Sequence, residues 1–257
     1  GRARDGRLLT PAFPYTAFTL VSRDDSDALY VYLRSLAPVV RTATPGSLRF
    51  PFNTQAALAV WRALYFRPGM PDAPRPPGRP AEWQRGAYLV QGLGHCAACH
   101  APRNALGATQ QSDRLAGGAL PLQPWFAPDL APRADVPLAR QRQDLVALLR
   151  TGMSTHGTAS GPMAEVVVGS TQHWTDQDLQ AAATYLTSLP ARQPAISRAG
   201  PADAAHAAQS VRGQALYTQQ CAQCHGQQGE GAPDIYPPLA GNPSVTLADA
   251  GNAMQVI

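Results

Sequence analysis

Every cysteine in this 257-residue chain belongs to a Cys-x-x-Cys-His pentapeptide, and there are two of them: Cys96-Ala97-Ala98-Cys99-His100 and Cys221-Ala222-Gln223-Cys224-His225. Two residues between the sulfurs let both reach neighbouring vinyl edges of one porphyrin. The next residue then carries its imidazole under the iron, which is the pattern of c-type haem attachment. A four-cysteine zinc ribbon separates its pairs by about 15–20 residues, whereas more than a hundred intervene here. A thioredoxin-like pair would follow a strand in a βαβ pattern, and none surrounds either site. The cofactor read from the sequence is therefore haem c. Cys96, Cys99, Cys221 and Cys224 are its thioether ligands, and His100 and His225 are its axial histidines.

The flanking sequences repeat as well. Arg85-Gly86-Ala87-Tyr88 precedes the first site and Arg212-Gly213 with Tyr217 precedes the second, both in short amphipathic helical patterns. A glycine inside a helix costs about 1 kcal/mol relative to alanine. Its recurrence predicts a helix crossing too close for a side chain. A second repeat, 153 residues apart, places Tyr-Leu-x-Ser-Leu at 32–36 and again at 185–189, each ending a helix that starts on Ser22 or Thr175 with acidic residues in its first turn.

These landmarks predict an all-α chain of tandem cytochrome c-like haem modules of class I, joined by Pro/Ala-rich linkers and truncated at both ends. Residues 1–66 read as the C-terminal remnant of a first module plus a connector helix around Ala56–Tyr65. Residues 67–80 read as a proline-rich linker, 81–190 as a complete module and 191–208 as a spacer. Residues 209–257 read as the N-terminal half of a third module. Two haems are expected on this chain, and a third upstream of Gly1.

A six-coordinate iron suits electron transfer, and methionine opposite histidine raises the potential. The choice in the complete module lies between Met153, at the end of a helix expected over Asp144–Arg150, and Met163, in a loop stiffened by Pro162. Met163 is favoured. His156 and His173 read as surface histidines, with bis-histidine ligation the alternative. Met254 reads as an apolar helix position, and the ligand of the third haem is expected past Ile257. Phe13 stands where the first module would have its methionine. Arg103 and Arg150 are candidate partners for haem propionates, Trp125 and the Trp83/Tyr88 pair for haem or core packing.

The net charge of +4 is mild and forms no basic run, which argues against nucleic acid as a partner. No stretch approaches the ~18 apolar residues of a membrane helix.

The run from Arg85 through Gly92-Leu93-Gly94-His95-Cys96 to His100 and Pro102-Arg103-Asn104 resembles the middle haem module of three-haem cytochrome c subunits. These subunits belong to bacterial membrane-associated dehydrogenases of the alcohol, aldehyde and gluconate type. Pro11-Ala12-Phe13-Pro14-Tyr15, Gly161-Pro162-Met163-Ala164-Glu165 and Pro237-Pro238-Leu239-Ala240-Gly241-Asn242-Pro243 agree with it, so the resemblance covers nearly the whole chain. It implies an electron-transfer subunit, periplasmic and held at the cytoplasmic membrane by segments outside this chain or by a partner. Such a subunit takes electrons from a catalytic dehydrogenase subunit and passes them to ubiquinone or another respiratory carrier. It also supports His100 and Met163 as axial ligands of one haem and His225 of the next. Asp129 departs from the asparagine common in the family, and Phe13 from the methionine of some relatives. A haem enzyme in its own right, a peroxidase or thiosulfate-oxidising cytochrome, is the alternative, and it would need an open sixth position.

Overall fold

A computed structural model describes residues 1–41, 48–69, 78–110, 115–192, 204–233, 235–247 and 250–257. Most of the expected 67–80 linker and 191–208 spacer lies outside those residues.

The centre of the fold is a crossing of two helices, α4 (Ala81–Tyr88) and α8 (Asp176–Thr187). A Cβ on Gly86 would stand 2.6 Å from the carbonyl carbon of Ala181 and 2.8 Å from the Cβ of Tyr185, so only glycine fits. The alanines at 181–183 keep the facing surface equally low. Trp83 packs edge-on against Tyr185, with ring centroids 5.3 Å apart, and its indole N–H donates to Ser188 Oγ at 2.6 Å. Arg85 grips both carboxylate oxygens of Asp178 at 2.7 and 2.9 Å, holding that carboxyl below its usual range. The pair is partly exposed, so it stabilises by only about 0.2–1 kcal/mol. Thr175 caps α8 by accepting from the Asp178 amide, as the sequence predicts.

A third helix, α6 (Leu138–Thr151), packs on α8. It starts two turns before the expected Asp144, because its first turns are polar and mostly exposed and carry no apolar period to mark them. Gly152, at φ 78°, ends it in the left-handed region that glycine tolerates. The core cluster is Val90, Leu115, Ala182, Tyr185 and Leu186, with Leu130, Leu145, Leu149 and Trp174 packed around it. Two short antiparallel hairpins complete this unit: β1 (Gly118–Ala119) with β2 (Phe126–Ala127), and β3 (Met153–Ser154) with β4 (Gly157–Thr158). Between β4 and α8 lies α7 (Pro162–Gly169), where the sequence suggested a loop. Three consecutive valines disguise it, but Pro162 at its first position is a helix-start signal.

The N-terminal segment supplies α1 (Tyr15–Phe18), α2 (Arg23–Ser35) and α3 (Gln55–Tyr65). Ser22 caps α2 as predicted, yet α2 buries no residue: Tyr32 and Leu33 are 62% and 63% exposed, whereas their counterparts Tyr185 and Leu186 are 6% and 4% exposed. The segment is tied to the central unit by polar contacts. The Tyr88 hydroxyl accepts from the Ser22 amide at 3.1 Å and donates to the Asp25 carboxylate. Trp61 donates to the Leu106 carbonyl at 2.9 Å. Tyr88 thus joins segments, whereas Trp83 alone takes the core role considered for both.

The C-terminal segment contains α9 (Ala204–Gln220), α10 (Ala222–His225) and α11 (Gly251–Val256). Among the described residues, a Cβ on Gly213, the counterpart of Gly86, meets nothing within 4 Å. Met254 is helical as expected but 72% exposed.

Candidate haem-attachment sites

Beyond Tyr88 the helix widens into a π turn over Leu89–Leu93, closed by the Gly94 amide on the Leu89 carbonyl at 2.7 Å. Such bulges recur at functional sites because they redirect a helix without ending it. His95 follows at φ 37°, a left-handed backbone uncommon for a residue with a side chain. The chain then re-enters a single turn, α5 (Ala97–His100), with the His100 amide on the Cys96 carbonyl at 2.9 Å. Cys96, Cys99 and His100 therefore project from one helical turn. Cys96 packs against the core cluster, and Cys99 is exposed.

His100 is buried, and its Nδ1 lies 2.8 Å from the Pro128 carbonyl oxygen. A carbonyl can only accept, so the proton sits on Nδ1 and Nε2 keeps its lone pair. Metal-bound histidines are oriented in this way. Burial also lowers the imidazole pKa, favouring the neutral form that ligates iron. The second site repeats the design: Cys221 stands at the N-cap of α10, which carries Cys224 and His225, and His225 Nδ1 lies 2.9 Å from the Pro237 carbonyl. In both sites a glycine amide braces the histidine carbonyl, Gly117 at 2.9 Å and Gly231 at 2.7 Å. Sequence reasoning does not find these acceptors. Their signal is a shared Pro-x-Leu, Pro128-Asp129-Leu130 and Pro237-Pro238-Leu239, obscured because it follows the two histidines at unequal distances.

All four thiols are free of disulfides. Burial pushes the Cys96 thiol up to about 11 and raises Cys99 as well, the latter offset in part by the charge on Arg103. Arg103 itself donates to the Ala98 carbonyl and, at 2.9 Å, to the Gly107 carbonyl. These bonds lock the turn behind the motif. Arg150 is paired with Asp176 at 2.6 Å.

Met163 lies half-buried in the first turn of α7 rather than in a loop. The preceding Gly161 has φ 52°, and a Cβ there would stand 2.5 Å from the Trp125 indole, so Trp125 backs the turn that presents Met163. Met153 is also half-buried, in β3. His156 Nδ1 is engaged with Asp144 at 2.7 Å, and His173 is exposed. Replacing Met163 with alanine is expected to abolish the near-infrared charge-transfer band of methionine-ligated ferric haem. The same change at Met153 is expected to leave it in place.

Paired free thiols beside a neutral histidine whose outer nitrogen is fixed by a proline carbonyl, set on a small helical unit, define a haem-attaching cytochrome of the c type. The apolar cluster against which Cys96 packs suits a porphyrin face. The chain belongs to the cytochrome c family, which matches residues 84–190 and 210–254 and implies haem c as cofactor. It is 38% identical to the cytochrome c subunit of alcohol dehydrogenase (quinone) of Gluconacetobacter polyoxogenes, over 100% of this chain and 58% of that protein. It is 35% identical to the fructose dehydrogenase cytochrome subunit of Gluconobacter japonicus, over 94% of this chain and 54% of that protein. It is 34% identical to the gluconate 2-dehydrogenase cytochrome c subunit of Pantoea cypripedii, over 95% and 58%. The chain thus spans little more than half the length of these relatives.

Proposed function

We propose that this chain is the electron-carrying part of a dehydrogenase complex, receiving electrons from a catalytic subunit and passing them to ubiquinone or another respiratory carrier. The observation that carries this reading is the repeated site: two Cys-x-x-Cys-His turns, each with its histidine aligned by a proline carbonyl. Bound haem supplies reversible one-electron chemistry. The protein's part is to hold the two thioether sulfurs, aim each imidazole, and exclude water from one haem face with Val90, Leu115, Leu130 and Leu186. Substrate oxidation is assigned to another chain.

The finer organisation is part of the same proposal. Residues 1–66 are the end of a first module plus a connector helix, 81–190 one complete module, and 209–257 the first half of a third. The bare Tyr32/Leu33 face of α2 and the space at Gly213, open among the described residues, support this, because each is one half of the crossing that Gly86 completes in the centre. Met163 is proposed as the distal ligand of the central haem. The proposed location is the periplasm, at the cytoplasmic membrane.

The test is rapid mixing of the oxidised, haem-loaded protein with the dehydrogenase that copurifies with it and that enzyme's substrate. Haem reduction on the timescale of turnover is expected, with no consumption of hydrogen peroxide. Peroxide turnover without reduction by the dehydrogenase would favour a haem enzyme instead.

A further inference from the structure

The C-terminal segment reaches across to the strand that orients His100. Asn252 in α11 is 5% exposed, and its side-chain amide takes both main-chain groups of Phe126. Its Oδ1 accepts from the Phe126 amide at 2.8 Å, and its Nδ2 donates to the Phe126 carbonyl at 2.8 Å. Phe126 opens β2, and two residues further on stands Pro128, whose carbonyl receives the His100 Nδ1 proton at 2.8 Å. Ala127, between them, pairs with Gly118, and the neighbouring Gly117 amide binds the His100 carbonyl at 2.9 Å. β2 is thus held from the His100 side by β1 and from the C-terminal segment by Asn252.

Two further contacts seat that segment. Arg133 Nη1 donates to the Gly241 carbonyl at 3.3 Å. Asn242 Oδ1 and Pro243 Cδ each stand 3.7 Å from the position a Cβ on Gly157 would take. Gly241, Asn242 and Pro243 follow Pro237, the acceptor for His225. Each of the two histidine-orienting loops is therefore part of the contact between the segments.

We infer that Asn252 is a positioning residue through which the docked C-terminal segment tunes the reduction potential of the haem on Cys96 and Cys99. The inference rests on the haem-binding reading above. A histidine that donates Nδ1–H to a carbonyl is a stronger donor to iron, and stronger donation favours the ferric state. Asn252 sets the position of Phe126, Phe126 that of Pro128, and Pro128 the strength of the His100 hydrogen bond. Releasing the strand weakens that bond and raises the potential. His225 keeps its own acceptor, so its haem is left unchanged.

The test is a spectroelectrochemical titration of the haem-loaded 257-residue chain and its Asn252→Ala and Asn252→Asp variants. The central haem is assigned as the wave that survives in a Cys221→Ala/Cys224→Ala variant. The expected result is an upward shift of that wave alone in Asn252→Ala. A smaller shift is expected in Asn252→Asp, which keeps the acceptor for the Phe126 amide. A second readout is the His100 Nδ1 proton in the ferrous state, which should exchange with solvent faster in Asn252→Ala. If that variant fails to load haem, Asn252→Asp alone carries the comparison. An unmoved central wave with unchanged exchange overturns the inference, as do equal shifts of both waves, which would mark general loosening. A chain that takes up no covalent haem overturns the haem-binding reading along with it.

Discussion

Gly86→Ala is expected to disrupt the central unit, while the same substitution at Gly213 is expected to stabilise the 257-residue chain slightly. The two glycines occupy matching sequence contexts, so propensity alone predicts the same gain at both, about 1 kcal/mol. Packing reverses the sign at one of them. A Cβ on Gly86 meets the Ala181 main chain and the Cβ of Tyr185, neither of which is a flexible side-chain end that can swing aside. The helices must separate, which lifts Trp83 off Tyr185 and strains the Arg85–Asp178 pair. Overpacking of a core costs about 1–3 kcal/mol, and more where backbone must move. A Cβ on Gly213 meets nothing within 4 Å among the described residues, so only the helix-propensity gain remains. Thermal unfolding of the two haem-loaded variants, followed at the haem and in the far ultraviolet, checks both signs.

The second large effect concerns the cysteines. Cys96→Ala/Cys99→Ala is expected to remove one covalent haem and, with it, the cooperative unfolding of residues 81–190. Cys96 packs on the cluster built from Val90, Leu115, Ala182, Tyr185 and Leu186, so a haem attached there would join the core of the unit. Cys221→Ala/Cys224→Ala is expected to remove the other haem while the central helices keep their unfolding transition, because only Ala222 and Asn252 are buried among the described residues of α10 and α11. Mass spectrometry of the denatured variants counts the haems, and hydrogen exchange on α4 and α8 reports the core.

Local sequence carried much of this design. The two motifs marked the residues proposed to attach haem, because the chemistry fixes their spacing within a single helical turn. Ser22 and Thr175 were legible as caps because an N-cap is a local hydrogen bond. Gly86 was legible as a close crossing because an internal glycine needs a reason. What escaped was set at long range. The Pro128 and Pro237 carbonyls orient the histidines across loops of unequal length, and no local pattern marks such an acceptor. Arg103 reads in sequence as a candidate propionate partner, and its bonds to the Ala98 and Gly107 carbonyls are ones a sequence does not display. The near copies at 32–36 and 185–189 show the same limit from the other side. The same residues are bare in α2 and buried in α8, because burial belongs to the partner and not to the repeat.

The most direct test of the central claim is a count of haem that stays with the polypeptide after denaturation in detergent and acid. The chain is produced in a host that attaches haem c. Two haems per 257-residue chain are predicted, falling to one in each double-cysteine variant. A chain that releases all its haem on denaturation, or that holds stoichiometric zinc on the same cysteines, would contradict it.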